Sequence, residues 1–393
     1  MTELQETVSV LPDKGFRSAL DAMVEIAAQN ANDVDKNSRF PVEAIDSARH
    51  GALLGAPVPI ELGGLGLSIS ELCSIVERLG RVCSSTGMIM AMHYIQVLCL
   101  DRHGRSDYLR QALRKCADEQ LLLASATTEA NIGGDSRSSS CAVQSLVNDM
   151  IELKKTCPVI SYGRYADAIL VTARRHPEAV ASDQVLVYLP ASDYELNKTF
   201  DWDALGMRGT CSEGFELAGN TTAAAVLDDL FEKISAETML PAAHTLWASV
   251  WFGMASKAGE NARTVVQRAA RKTPDNPPPS ALRLAELEVS LQSMADLVRS
   301  AVARYQSGWH QPEVLESLQF AISMNTLKVA AADLVRKIVA DAMVIVGIAG
   351  FANRSPLSLA RLYRDSIGPS VMVNNDRIYN HTSTLLLVSR GER

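Results

Sequence analysis

The chain has 393 residues, with 38 basic and 45 acidic side chains that give a formal net charge of −7. Hydrophobic residues make up 47% of the sequence, which is too many for an intrinsically disordered protein. The mildly acidic balance argues against a nucleic-acid binder or an anionic-membrane binder, since both classes need a basic face. At about 150 residues per domain, the length predicts two or three compact units.

The first part of the chain, up to about residue 120, has the periodicity of helices. Its opening, MTELQETVSV, is polar and lacks the apolar core of a secretion signal. Phe16, Leu20 and Met23 then share one helical face. Ser68 and Glu71 have the spacing of a capping box, which predicts that a helix begins there. The apolar run GMIMAMHYIQVLCL predicts a further helix.

The middle of the chain, from about residue 121 to 227, changes to short apolar or alternating runs between Gly, Pro, Asn and Asp residues. Such runs are typical of strands, and they predict an antiparallel sheet or a small barrel. The runs that carry this prediction are LLLASATT, CAVQSLV, AILVTA and QVLVYLP.

The last part of the chain returns to helical periodicity. A helix is predicted from Leu246 to Arg271, and the proline-rich segment RKTPDNPPPSAL ends it. Near-heptad spacing from Leu284 to Tyr305 predicts a helix that packs in a bundle, and another is predicted from Glu313 to about Val346. Charged residues interrupt the apolar stretch 321–351, which indicates a buried helix and no membrane span.

These patterns predict an α+β fold with three domains. The first is an N-terminal helical domain (1–120), the second a middle antiparallel β domain (121–235), and the third a C-terminal four-helix-bundle-like domain (236–393). The seven cysteines are scattered and never spaced as CxxC, so reduced, mostly buried thiols in a cytoplasmic protein are expected. The seven histidines form no HxH or HxxxH cluster, so no metal site is predicted.

Five segments in the chain, taken in order, resemble the acyl-CoA dehydrogenase superfamily. No single segment is specific, but their order on a helix–strand–helix chain extends the resemblance over nearly the whole sequence. The segments are VPIELGGLGLSISELCSIVERLGRVCSST, ASATTEANIGGDSRSS, VISYGRYADAILVTAR, LGMRGTCSEGFEL and VIVGIAGFANRSPLSLARLYRDS.

The resemblance implies a flavoprotein with FAD between the middle strands and the C-terminal bundle. Thr127 and Thr128 stand where the family contacts the pyrimidine edge of the flavin, and Ser161 stands where the family usually has threonine beside N5. Gly133 and Gly134 occupy the turn that approaches the pyrophosphate, where small residues let backbone amides reach an anion. The remaining cofactor contacts implied by the resemblance are Arg271, Gly347, Asn375 and Arg377.

The residues at the adenine end of the implied FAD site depart from the family pattern. Arg271 keeps the arginine of an Arg–x–x–Phe–Gly motif whose Phe-Gly is missing here. Val344 stands where the family has glutamine, and Ile348 replaces the second glycine of the pair that begins at Gly347. The sequence therefore predicts a weaker or differently arranged hold on FAD.

The largest departure concerns the catalytic base. Removing the α-proton of an acyl thioester normally requires a positioned carboxylate, which the family supplies as a glutamate. Aligned without a gap, Val373 stands at that position, and with a gap Asn380 stands there. A second base position in some relatives, on the helix that enters the C-terminal bundle, falls near Ala243 and His244.

Four residues could fill the catalytic role, and three of them are proposed, because His381 is more typical of a surface or cap residue. Asp376 is the nearest acid, although an acid in the first turn of a helix explains it equally well. His244 precedes a helix segment where relatives usually carry arginine close to the active site. His93 lies in an apolar helix, where a lone histidine is more often a satisfied core residue.

Three functions follow from the resemblance. The first is FAD-dependent α,β-dehydrogenation of an acyl thioester, bound to CoA or a carrier protein, with a flavoprotein or O2 as electron acceptor. The second is a flavin monooxygenase on the same fold that uses a C4a-hydroperoxide, and the third is a scaffold without catalysis. The resemblance also implies a homotetramer or homodimer, and neither nucleic acid nor membrane is an expected partner.

Overall fold

The structure of the chain, a computed structural model, describes residues 14–129, 138–272, 274 and 276–389. It has the predicted α+β architecture, with helices before and after a β region. The helices of the N-terminal part are α1 (Lys14–Asn37), α2 (Val42–His50), α3 (Ile69–Val82), α4 (Ser84–His103) and α5 (Asp107–Asp118), with a longer connection, residues 51–68, between α2 and α3.

The capping box predicted at the start of α3 is confirmed. Glu71 accepts a hydrogen bond from the backbone N–H of Ser68 at 2.8 Å, and the Ser68 hydroxyl accepts one from the N–H of Glu71. These two bonds satisfy N–H groups that a helix start would otherwise leave unpaired. The predicted inner face of α3, which includes Leu72 and Ile75, is buried in the core.

Among the described residues, the middle region has seven strands in two sheets. One sheet has the order β1–β4–β5 and the other has the order β2–β3–β7–β6, so the alternative of a small closed barrel is wrong. The strands are β1 (Leu123–Ala126), β2 (Gln144–Ser145), β3 (Met150–Ile160), β4 (Ala168–Arg174), β5 (Gln184–Pro190), β6 (Tyr194–Phe200) and β7 (Glu213–Thr222).

Two details of the β region differ from the sequence-based expectation. The segment CAVQSLV contributes only the two residues of β2, because most of it is an irregular connection. The pairing of β1 with β4 is parallel, whereas the other strand pairs are antiparallel as predicted. The sheet formed by β3, β6 and β7 carries many polar residues on its exposed face, which concealed these strands in the sequence.

The C-terminal part is a helical bundle in which α7, α8 and α10 are the long members. The long helix predicted from Glu313 is interrupted, because Ser317 caps a new helix by accepting a hydrogen bond from the N–H of Phe320 at 3.2 Å. The helices are α6 (Phe231–Ile234), α7 (Leu240–Ala270), α8 (Ser280–Gly308), α9 (Pro312–Leu315), α10 (Leu318–Val346), α11 (Ile348–Phe351), α12 (Ala360–Asp365), α13 (Gly368–Val371) and α14 (Asn375–Val388).

Two glycines allow α3 of the N-terminal part to pack closely against α7 of the bundle. A Cβ atom on Gly80 would lie 2.3 Å from the carbonyl oxygen of Val250, and a Cβ on Gly253 would lie 2.2 Å from that of Glu77. Since backbone cannot yield at such distances, glycine is required at both positions. The two helices therefore meet backbone to backbone.

Two sequence-based expectations about the chain as a whole can be compared with the structure. All seven cysteines are free and buried, as expected for packed thiols. None of the helices that the structure describes is long and apolar enough to cross a membrane.

Candidate active site

The ends of β1 and β3 meet in the middle region, and they bring together two residues that the sequence assigned to the flavin. The Thr128 hydroxyl donates a hydrogen bond to the carbonyl oxygen of Val159 at 3.0 Å, two residues before Ser161. The last paired residue of β1 is Ala126, so the backbone at Thr127 and Thr128 lies beyond the strand pairing. The site therefore offers backbone groups and half-buried hydroxyls.

A row of hydroxyl groups continues from Ser161. Its Oγ lies 2.8 Å from the Oγ of Ser212, which in turn lies 2.8 Å from the Oγ1 of Thr210. Thr210 donates to the carbonyl oxygen of Met207, also at 2.8 Å. Ser212 and Thr210 are buried, while Ser161 is half-buried, so the row leads from the protein interior to the exposed side of Ser161.

The turn that carries Thr210 is held in an unusual backbone conformation. Met207 and Cys211, which flank it, have φ angles of 52° and 45°, in the left-handed region that non-glycine residues rarely adopt. The N–H of Met207 donates to Asp365 at 2.6 Å, and the carbonyl oxygen of Thr210 accepts from the N–H of Tyr162 at 2.8 Å. Contacts from Tyr162, which follows β3, and from Asp365 of α12 thus fix the turn.

Glu129, which follows the two threonines, has a structural role. Its buried carboxylate accepts hydrogen bonds from the N–H of Ser140 and Cys141 and from the hydroxyl of Ser139. Although burial opposes it, the bonds from the Ser140 and Ser139 side chains lower the pKa of this carboxyl. Glu129 therefore anchors the chain where it returns to the sheet. Gly133 and Gly134 lie outside the described residues.

A second group of polar residues lies in the C-terminal bundle, between α7 and α10. The Nδ1 of His244 lies 2.9 Å from the carbonyl oxygen of Met324, and because a carbonyl only accepts, Nδ1 carries the proton. The lone pair of the neutral ring is then on Nε2. Burial, with the positive charge of Lys328 nearby, lowers the pKa of His244 to about 3.

Lys328 lies one helical turn after Met324 and has no exposed surface. Its Nζ donates to the carbonyl oxygens of Pro369 at 2.9 Å and Val373 at 2.6 Å, and to Oδ1 of Asn375 at 2.7 Å. These acceptors match the three N–H bonds of an ammonium group. Burial lowers the pKa of Lys328 to about 8. The lysine therefore holds residues 369–375, the segment where the resemblance places the family's glutamate.

Neither position at which the resemblance places a base carries a carboxylate. Val373 is 51% exposed and has a φ of 47°, a rare conformation for a β-branched residue. Ala243 is buried beside His244 on α7. Asn380, which stands at the first position when a gap is allowed, is exposed on α14. Beside Ala243, the neighbouring ionisable side chain on α7 is the buried His244.

The three residues proposed for catalysis have different surroundings. His244 lies in the bundle, as described above. His93 donates from Nε2 to the carbonyl oxygen of Leu54 at 2.8 Å and accepts at Nδ1 from the N–H of Leu123 at 3.0 Å. Both of its nitrogens are therefore engaged, as in a core histidine. Asp376 is exposed in the first turn of α14, and its N–H donates to the Asn374 side chain, as in a helix start.

The remaining residues proposed as cofactor contacts lie in the C-terminal part, away from β1 and β3 in the chain. Arg271 follows α7 and Arg377 lies in α14, and both are exposed. Gly347 ends α10 with a φ of 70°, which explains why a glycine is needed, and Asn375 is held by Lys328. Their exposure leaves these residues accessible to a ligand or to another subunit.

Sequence reasoning missed Lys328, Thr210 and Ser212. Lys328 was noted only as a charge that interrupts an apolar helix, although a lysine on the inner face of a helix is itself a signal of a buried contact. Thr210 and Ser212 lie within the quoted segment LGMRGTCSEGFEL, but their link to Ser161 spans 51 residues.

Comparison with known proteins identifies the family of the chain. The family model "Acyl-CoA dehydrogenase, N-terminal domain" matches residues 14–120, and "Acyl-CoA dehydrogenase, C-terminal domain" matches residues 235–371. The chain belongs to the acyl-CoA dehydrogenase superfamily. Members of this superfamily are flavoproteins, with FAD as the standard cofactor, and the cofactor of this chain is accordingly a flavin.

Individual relatives resemble the chain over most of their length. A short-chain-specific acyl-CoA dehydrogenase of Clostridium acetobutylicum is 22% identical, covering 86% of this chain and 87% of its own. FMN-bound TdsC from Paenibacillus sp. A11-2, a dibenzothiophene monooxygenase, has a TM-score of 0.82 at 19% identity, covering 94% and 97%. Butyryl-CoA dehydrogenase from Megasphaera elsdenii has a TM-score of 0.80 at 19% identity, covering 96% and 99%.

The residues of this superfamily member fit the flavin ring. The ring presents carbonyl oxygens and nitrogens, which pair with neutral donors and acceptors, and those are the groups present at Thr127, Thr128 and Ser161. Because the Thr128 hydroxyl already donates to Val159, its oxygen can only accept from a ligand. Donors at this edge would be backbone N–H groups or the Thr127 hydroxyl. When bound, the flavin supplies a two-electron acceptor.

Proposed function

We propose that this chain is a flavin-dependent oxidoreductase that removes two hydrogens from an acyl thioester, with His244 in place of a carboxylate as the proton acceptor. The observation that carries this proposal is the orientation of the His244 ring. Its Nδ1 proton is held by Met324, so the lone pair of the ring lies on Nε2, and the resemblance puts the family's second base position near this residue.

The burial of His244 bears on the substrates that it would suit. A pKa of about 3 keeps the ring neutral at every physiological pH, but it also makes the ring a weak proton acceptor. Simple acyl thioesters have weakly acidic α-protons, so we propose that the substrate carries a group that acidifies the α-carbon. An aryl substituent on that carbon is one such group.

The proposal is tested by mixing the flavin-loaded protein with acyl-CoA under anaerobic conditions and following the loss of the oxidised-flavin absorption. Butyryl-CoA serves as the simple substrate and 2-phenylpropanoyl-CoA as the activated one. We expect faster bleaching with the activated substrate. Absence of bleaching with every thioester, in a protein whose flavin dithionite does reduce, would contradict the proposal.

Two variants isolate the role of His244. His244→Gln keeps an N–H that can donate to Met324 but removes the basic nitrogen, and we expect at least a hundredfold slower bleaching. His310→Gln changes an exposed histidine and serves as the matched control, with an unchanged rate. Equal rates in the two variants would exclude His244 as the proton acceptor.

A second candidate is flavin-dependent oxygenation, and the specific observation in its favour is the absence of a carboxylate at Val373 and Ala243. Reaction of a reduced flavin with O2 needs no base for an α-proton. Both nitrogens of His93 are engaged, so a hydroxyl contact to an oxygenated flavin would fall to Ser161.

The second candidate is tested by reducing the flavin-loaded protein and mixing it with O2. A transient whose absorption differs from both oxidised and reduced flavin, and which persists for seconds, supports oxygenation. Direct return to the oxidised spectrum with release of hydrogen peroxide counts against it. A purified protein that binds no flavin would exclude both candidates and leave a scaffold.

A further inference from the structure

The carbonyl oxygen of Met207 fixes the direction of the hydroxyl row beside it. A carbonyl can only accept, so in the 2.8 Å contact with Met207 the Thr210 hydroxyl must donate. Each hydroxyl has a single proton. In its 2.8 Å contact with Ser212, Thr210 must therefore accept, and Ser212 donates.

The same count applies to the next contact in the row. The proton of Ser212 points to Thr210, so in the 2.8 Å contact with Ser161 the Ser212 oxygen must accept. Ser161 then donates its only proton to Ser212. On its exposed side, the Ser161 oxygen presents lone pairs alone.

We propose that Thr210 and Ser212 are positioning residues that make Ser161 a hydrogen-bond acceptor toward N5 of the flavin, and that they thereby favour the reduced cofactor. The reason lies in the flavin itself, because N5 carries a lone pair when oxidised and an N–H when reduced. An acceptor complements the N–H and repels the lone pair. The inference rests on the flavin site of the proposed function, and it holds for either candidate reaction.

The surroundings of the row keep its hydrogen bonds in this donor–acceptor direction. Thr210 and Ser212 are 4% and 6% exposed, so water cannot readily replace a member of the row. The carbonyl of Thr210 is held by Tyr162, and the N–H of Met207 is held by Asp365. A turn with two left-handed residues is kept in place by these contacts, and its conformation aims the Met207 carbonyl at Thr210.

The experiment measures the midpoint potential of the bound flavin in two variants that break the row. In Ser212→Ala, Ser161 loses its acceptor, and in Thr210→Val, Ser212 loses its acceptor and turns to Ser161. In both variants the Ser161 proton becomes free to donate to oxidised N5. We expect the two-electron equilibrium to shift at least tenfold toward oxidised flavin, which lowers the potential by about 30 mV.

Two further variants separate proton direction from packing. Thr210→Ser keeps a hydroxyl that can donate to Met207, and it should retain the wild-type potential. Thr156→Val changes an exposed threonine on β3 that bonds only Glu216 among the contacts described, and it serves as the matched control. The flavin dissociation constant is measured for every variant, because a packing defect weakens binding without a consistent change of potential.

The outcomes distinguish this inference from the proposed function. Unchanged or raised potentials in both Ser212→Ala and Thr210→Val, with flavin bound, would overturn the role of the row and leave the proposed function intact. A wild-type protein that binds no flavin would overturn both. Lowered potentials in both variants, with Thr210→Ser unchanged, would support the inference.

Discussion

The carboxylate of Asp365 accepts a hydrogen bond at 2.6 Å from the backbone N–H of Met207, 158 residues earlier in the chain. Its other oxygen accepts from the hydroxyl of Ser84 at the start of α4. One carboxylate, 2% exposed, thus connects the N-terminal helices, the turn of the β region and the C-terminal bundle. A substitution of Asp365 should therefore weaken the contacts among all three parts of the chain.

We expect Asp365→Asn to lower the free energy of unfolding by about 2–3 kcal/mol, because an amide cannot accept from both Met207 and Ser84 in the same way as a carboxylate. Asp376→Asn, at an exposed acid of α14, should change it by less than about 0.5 kcal/mol. Urea unfolding of the two variants checks this. Equal losses would show that the bonds of Asp365 add no stability.

His93 should be structural. Its ring joins the carbonyl oxygen of Leu54 to the N–H of Leu123, so His93→Phe leaves two buried backbone groups unpaired. We expect a loss of about 3 kcal/mol in unfolding free energy. His50→Phe, at an exposed position, is the control and should have little effect. A wild-type melting temperature in His93→Phe would contradict this role.

Acid should destabilise the protein through its buried histidines. Burial lowers the pKa of His93 to about 4 and that of His244 to about 3, from an ordinary value of 6.5. Their contribution to stability is therefore complete above pH 6.5 and is lost as the pH falls through these lowered values. For His93 alone, the shift corresponds to about 3 kcal/mol.

The measurement is the unfolding free energy at pH 7 and at pH 4 in the wild type and in His93→Gln. Because glutamine does not titrate, the variant should lose less stability between these two values. Parallel curves for the two proteins would show that His93 titrates normally.

Lys328 should make the unfolding free energy depend on pH in the alkaline range. Burial lowers its pKa from 10.5 to about 8, although Asp333 partly opposes the shift. The folded state thus binds fewer protons than the unfolded state between pH 8 and 10.5, so the stability contribution of this group rises across that range. The change corresponds to about 3 kcal/mol.

Lys328→Met removes this dependence, and the difference in unfolding free energy between wild type and variant should grow with pH from 8 to 10.5. Lys337→Met, at an exposed lysine of the same helix, should show a constant difference. A constant difference for Lys328→Met as well would mean that its pKa is normal in the folded protein.

The backbone at Val373 should be strained. A β-branched residue with a φ of 47° is disfavoured by about 1–2 kcal/mol, whereas asparagine tolerates this region. We expect Val373→Asn to raise the unfolding free energy by about 1 kcal/mol. Val371→Asn changes another exposed valine, whose backbone is helical, and it should give no such gain. Destabilisation by Val373→Asn would argue against strain.

Features that depend on neighbouring residues could be predicted from the sequence. The α3 capping box and the buried face of the 280–308 helix follow from spacing alone. The break before α10 was missed because the apolar pattern continues across Ser317, although the serine itself supplies the cap. β3 was missed because its exposed face is polar, and its pairing with β7 bridges tens of residues.

In the candidate site too, contacts between residues distant in the sequence could not be predicted. Thr128 and Ser161 were placed by resemblance, but the direction of the Ser161 proton depends on a carbonyl 46 residues further along the chain. The surroundings of His244 depend in the same way on Met324 and Lys328, which another helix contributes. Motifs identify such residues one by one, whereas proton positions require the assembled contacts.

The glycine contacts between α3 and α7 have a consequence for the architecture. Because Gly80 and Gly253 bring these helices together at backbone distance, the first and last helical segments share one continuous core. The β region, although it lies between them in sequence, is an insertion into a single helical body. Removal of everything after residue 235 would therefore uncover the inner face of α3, and the remaining fragment would aggregate through that face and would not fold as two intact domains.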